Sequence, residues 1–172
     1  MKKLICFLLM VFLCVPTLSE QAVPLEDGLY VVKFQTDSSM FRVNEAHEGM
    51  GLMRVQGGEM LLHVTLMSKK IVNLYEGLAS EAKAEGAVLL EPSTDKVTYP
   101  DGWVEEAYGF TFSVPAIGET FPLAIIGTKG KWYDHKVQVT EALPFEQADR
   151  QLAQALLECA RFAQMLEADE VE

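Results

Sequence analysis

The sequence predicts an all-β fold, an immunoglobulin-like β-sandwich, and three observations predict it. Short segments alternate apolar and polar residues with period two, the pattern of half-buried strands. Turn-forming clusters such as Thr36-Asp37-Ser38-Ser39, Gln56-Gly57-Gly58 and Pro100-Asp101-Gly102 punctuate them at short intervals. No crossover helix separates one segment from the next, as a parallel sheet would require. Two helical additions complete the expectation, a short lip helix in mid-chain and an amphipathic α-helix at the C-terminus.

The β pattern opens at Gly28, where Tyr30, Val32 and Phe34 alternate with Leu29, Val31 and Lys33. Phe41 and Val43 follow the first turn cluster. Two further runs, 52–55 and 59–67, meet across Gly57-Gly58, a hairpin signal because glycine takes positive φ without steric cost. The rhythm then breaks. Ile71, Leu74 and Tyr75 fall at helical spacing, which predicts one or two helical turns over 68–75, with a further turn over 78–84. Residues 85–106 read as loop-rich, with a turn at Pro100-Asp101-Gly102. Strands resume with Tyr108, Phe110, Phe112 and Val114, continue through 121–126, and close with the segment containing Trp132. After Pro144, apolar residues at Phe145, Ala148, Leu152, Ala155, Cys159, Phe162 and Leu166 keep a 3-4 spacing, an amphipathic helix over 145–168. It either packs back on the sandwich or forms a coiled-coil homodimer with Cys159 facing its mate as an intermolecular disulfide.

Lys2 and Lys3, the 12-residue apolar run 4–15 and the small residues Thr17 and Ser19 form a secretory signal peptide cleaved near Ser19. That run is too short for a membrane span, which needs roughly 20 apolar residues. The expected organisation is therefore signal peptide 1–19, acidic leader 20–27, sandwich 28–142 and helix 143–172, acting outside the cytoplasm, either secreted or at the cell surface. The 172-residue chain carries a net charge of −11, from 14 basic and 25 acidic residues. Loss of Lys2 and Lys3 leaves 12 basic against 25 acidic, about −13. Nucleic acid and anionic lipid are poor partners for such a surface. Cys6 and Cys14 leave with the leader, so Cys159 has no internal disulfide partner. No metalloprotease His-Glu-x-x-His, nucleophile elbow, phosphate loop or Cys-x-x-Cys occurs, and the reading is of a binding protein, not an enzyme. Met40, Met50, Met53, Met60 and Met67 with His47 and His63 offer soft ligands for cuprous copper, against their plainer use as core filler.

The strand at 131–139 carries the chemistry. Alternation puts Tyr133, His135, Val137 and Val139 on one face and Trp132, Asp134, Lys136 and Gln138 on the other. Ordered landmarks lead up to it: Asp27-Gly28-Leu29-Tyr30-Val31-Val32, Ser39-Met40-Phe41-Arg42-Val43, the Gly-Gly hairpin before Met60-Leu61-Leu62-His63-Val64-Thr65-Leu66, the stretch 68–77, Phe112-Ser113-Val114-Pro115-Ala116 and Lys131-Trp132-Tyr133-Asp134. Together they resemble the NEAT (near-transporter) domains of bacterial surface haem-uptake proteins, in particular the NEAT-like domains that end in a Lys-Trp-Tyr-Asp strand.

The resemblance implies haem held between the last hairpin and a helical lip, with the iron-coordinating tyrosine at Tyr133. It implies a lip at 68–75 contributing Ser68, Ile71, Leu74 and Tyr75. His135 shares the cleft face, and Lys69, Lys70 and Lys131 either meet propionates at the cleft mouth or are simply solvated. The family's second tyrosine, four residues after the first, corresponds to Val137 here, so Tyr133 lacks the hydrogen bond that would tune it. The implied partners are haem, a haem-carrying protein or another surface protein. The other reading is a surface interaction domain without a small ligand, its helix mediating dimerisation or docking.

Overall fold

A computed structural model describes residues 25–160. The expected signal peptide, most of the acidic leader, and the helical positions Phe162 and Leu166 lie outside the described residues. Eight antiparallel strands form one continuous sheet. They are β1 (Gly28–Thr36), β2 (Met50–Gln56), β3 (Glu59–Thr65), β4 (Ile71–Tyr75), β5 (Ser93–Thr98), β6 (Val104–Ser113), β7 (Thr120–Gly127) and β8 (Trp132–Pro144). Their spatial order is β4-β7-β8-β1-β2-β3-β6-β5. The fold is all-β, as the alternation predicts.

The sheet curls on itself, and seven of its strands turn one set of side chains into a shared core. Tyr30, Val32 and Phe34 of β1 meet Met53 and Val55, Leu62 and Val64, Ile71 and Leu74, Phe110 and Phe112, Phe121, Leu123 and Ile125, and Val137 and Val139. Phe34 packs edge-on against Phe41 at 5.4 Å between ring centroids and lies 5.8 Å from Phe112. Aromatic pairs of this kind contribute about 0.5–1.5 kcal/mol each beyond their buried area.

The outer face is covered by the C-terminal helix, α1 (Arg150–Cys159), reached through a 3-10 turn at Phe145–Gln147. Asp149 caps it, its carboxylate accepting from the Leu152 N–H at 2.9 Å, which satisfies one of the orphan donors of the first turn. Ala153, Leu156 and Ala160 pack on Val31 and Leu52, while Cys159 packs on Val97 and Ala107. Two expectations are corrected here. Cys159 is buried within its own chain, so it is not presented for an intermolecular disulfide. The helix spends its apolar face on the sheet, so a coiled-coil seam across 145–168 is not available among the described residues. It also begins later than expected, because β8 runs on to Pro144.

The predicted lip helix over 68–75 is a further correction: Ile71–Tyr75 is strand β4, paired with β7. The reason is a register shift between Ile71 and Asn73. The extra residue lets Ile71 and Leu74, three apart, both enter the core, and this spacing imitates a helix. Residues 85–106 hold more structure than expected, since β5 pairs with β6 from Ser93 to Thr98. The turn at 100–102 is as read, with the Gly102 N–H donating to the Tyr99 carbonyl.

Candidate functional site

β7 and β8 form a hairpin whose register pairs Leu123 with His135 and Ile125 with Tyr133. On β8 the inward series Val139, Val137, His135, Tyr133 leaves the core as it runs toward the hairpin tip. Val137 is 1% exposed and Tyr133 is 47% exposed. Two connections rise beside this emerging end. Residues 37–42 follow β1, and residues 67–70 precede β4. Between them and the hairpin lies a pocket of about 750 Å³, within the usual range for small-molecule sites.

The wall at 37–42 is built by side chain to backbone bonds. The Ser38 N–H donates to the Thr36 hydroxyl at 3.0 Å, and the Ser38 hydroxyl accepts from the Met40 and Phe41 N–H groups, each at 3.2 Å. The Asp37 N–H donates to the Lys136 carbonyl at 3.1 Å, so Asp37 stands directly beside β8. Its carboxylate lies 2.8 Å from His135 Nδ1. Desolvation works against the charge of Asp37, but the hydrogen bond from His135, backbone hydrogen bonds and the charge of His135 together outweigh it and hold the carboxyl below its ordinary pKa.

The rim is cationic. Arg42, Lys70, Lys129 and Lys131 all border the pocket, and Asp37 is the single acid among its lining residues. Lys131 Nζ sits 5.0 Å from the centroid of the Tyr133 ring, a cation–π distance. Met40 and Met67, each about half exposed, and Ile125 supply apolar surface.

The sequence-predicted site residues divide in two. Tyr133, His135, Lys131 and Ser68 border the pocket. Val137, Ile71 and Leu74 do not, because they are core residues. Tyr75 lies on β4 outside the lining, and of the two neighbouring lysines Lys70 borders it while Lys69 does not. Asp37, Arg42 and Lys129 were not anticipated. The turn cluster around Asp37 was legible, but nothing local says that it folds back over β8. Of the methionines grouped for copper, Met53 and Met60 serve the core, and only Met40 and Met67 reach the pocket.

No protein-family model matches the chain, and no curated protein matches it. Among solved structures, the chain is similar to a mutant of the IsdX2 NEAT5 domain in complex with haem, with a TM-score of 0.43 and 16% sequence identity. The match covers 67% of this chain and 96% of that one. At that score the likeness assigns no residue a role.

A second polar cluster lies on the outer face. Asp95 of β5 accepts from Thr65 Oγ1 at 2.6 Å, Ser93 Oγ at 2.6 Å and His63 Nε2 at 2.8 Å. Burial disfavours its charge, yet these bonds, that from His63 first, hold its carboxyl below the ordinary value. His63 Nδ1 lies 2.9 Å from the Thr111 hydroxyl. Nearby, Cys159 Sγ is 2.9 Å from the Lys96 carbonyl and 3.7 Å from His47 Nε2. Burial, with the charge of Asp95 added, pushes the Cys159 thiol up to about 12. A thiol so held is not a nucleophile, and the cluster serves packing. Among the described residues, no group of three or more His, Cys, Asp or Glu is arranged to hold a metal ion. No described helix is long and apolar enough to cross a membrane.

Proposed function

We propose that this is a non-enzymatic binding protein acting outside the cytoplasm, and that its pocket takes haem or a related porphyrin for iron acquisition. The observation that carries the reading is the rim. A chain of net charge −11 gathers Arg42, Lys70, Lys129 and Lys131 around one apolar-walled pocket. Such a field attracts a ligand with anionic groups and disfavours a bare cation, which sets aside cuprous copper at Met40 and Met67.

The residues present fit a porphyrin. Tyr133 and His135 stand on the inner wall with oxygen and nitrogen donors, Ile125, Met40 and Met67 offer apolar contact, and Lys70 and Lys131 can meet carboxylates. A metalloporphyrin would bring a Lewis-acidic iron able to accept a protein ligand. The chain's own part is to hold and orient it and to limit water. The ordered sequence landmarks support the same reading.

The test is an absorbance titration of the purified protein with hemin, beside Tyr133→Ala, which removes a pocket wall. A saturable Soret shift at one equivalent, weakened in the variant, is the expected result. A shift that never saturates, or one indifferent to Tyr133, overturns the assignment to this pocket.

A further inference from the structure

We infer that His135, held from behind by Asp37, is the side chain that ligates the metal of a metalloporphyrin in this pocket, through its Nε2. The inference rests on the porphyrin reading above and adds to it the ligating atom.

Two donors compete for that role. Tyr133 and His135 lie two residues apart on the same face of β8, about 7 Å along the strand, so only one can stand under the centre of a flat ligand. Tyr133 has the family precedent but not the support. Its hydroxyl has no hydrogen-bond partner among the described residues, and the position four residues on is Val137, sealed in the core. No second hydroxyl can reach it from there. Its ring is engaged by the Lys131 ammonium, which suits a stacking wall.

His135 has the support that Tyr133 lacks. An ionised carboxylate only accepts, so in the neutral ring the 2.8 Å contact with Asp37 puts the hydrogen on Nδ1 and the lone pair on Nε2. A carboxylate behind an imidazole fixes its tautomer, orients the ring and raises its basicity, the usual arrangement behind a metal-bound histidine. The carboxylate is itself positioned by backbone, since the Asp37 N–H is tied to the Lys136 carbonyl and the Ser38 bonds brace the turn that follows. The pair is open to solvent, with the Asp37 side chain 52% exposed, so its worth as an ion pair is small and its use is to orient the ring. His135 and Asp37 both border the pocket.

The test loads the purified wild-type protein with hemin and compares it with His135→Ala, Asp37→Asn and Tyr133→Phe, the last keeping the ring while removing the phenol oxygen. Pulsed EPR of the ferric form and resonance Raman of the ferrous form read imidazole nitrogen on iron. Wild type and Tyr133→Phe are expected to give the nitrogen signature. His135→Ala is expected to lose it while staying folded and still binding hemin, a change of ligand signature that a structural role would not produce. Asp37→Asn is expected to bind hemin about 10–100-fold more weakly. Thermal melts confirm that each variant is folded. Saturable binding with a phenolate signature that Tyr133→Phe removes and His135→Ala keeps overturns the inference while leaving the porphyrin reading intact. Absence of saturable hemin binding by the wild type overturns both.

Discussion

His63 Nε2 and a carboxylate oxygen of Asp95 lie 2.8 Å apart with both side chains fully buried, on the face of the sheet that carries the C-terminal helix. Asp95 also takes hydrogen bonds from Thr65 and Ser93, so one carboxylate organises donors from two separate strands. Removing it strands those donors away from water. Asp95→Ala is expected to cost about 3–5 kcal/mol, the range for breaking a buried pair from one side. Urea unfolding of the variant checks this, and a loss below about 1 kcal/mol would mean that water reaches the site.

Gly109 of β6 tests the same carboxylate from the other side. A Cβ there would overlap the Asp95 side chain, and Asp95 cannot retreat without abandoning His63. Gly109→Ala is expected to destabilise by about 2–3 kcal/mol through overpacking, measured by thermal or urea unfolding.

His47 gives the fold a pH dependence. Burial lowers its pKa below the ordinary 6.5, against the opposing pull of the Asp95 charge. The unfolded chain therefore binds a proton below about pH 6.5 that the folded chain refuses. Stability is full above that value and falls as pH drops below it, by at most about 1.4 kcal/mol per pH unit. Asp95 acts lower down, because its depressed carboxyl contributes stability above about 3.8 that is lost as pH falls further. Stability curves from pH 7 to 5 should slope in the wild type and flatten in His47→Gln.

The Cys159 thiol, pushed up to about 12 from an ordinary 9.0, carries about a thousandth of the usual thiolate at pH 8. Alkylation by iodoacetamide should be correspondingly slow in the folded protein and rapid in denaturant. Equal rates in both conditions would show that the helix does not stay down.

Charge reversal probes the pocket rim without touching the core. Lys70→Glu should weaken hemin binding about tenfold at low salt, with the difference shrinking above about 0.5 M salt as screening sets in. Titrations at two ionic strengths read this directly.

Much of this molecule follows from local pattern. Strict alternation along β8 places Tyr133, His135, Val137 and Val139 on one face, because successive strand side chains point to opposite sides. The Gly57-Gly58 pair fixes a hairpin because both residues hold positive φ, at 58° and 85°. The amphipathic spacing after Pro144 marks a helix. Where the reading fails, a non-local contact overrides the local signal. A bulge against β7 turns the three-residue step from Ile71 to Leu74 into strand. Asp95, a poor strand residue by propensity, sits in β5 because His63, Thr65 and Ser93 satisfy it.

The candidate site divides in the same way. The sequence by itself determined that a phenol and an imidazole share a face of β8, and that the lysines are few enough for a cluster of them to matter. Only the tertiary structure decided that Asp37, 98 positions away from His135, closes on its Nδ1, that Val137 is sealed in the core, and that Cys159 lies under its own helix. The physical reason is that alternation and helical spacing are properties of the backbone repeat, present in any short segment. A hydrogen-bond partner, a bulge or a covered face depends on which distant segments the curled sheet brings together.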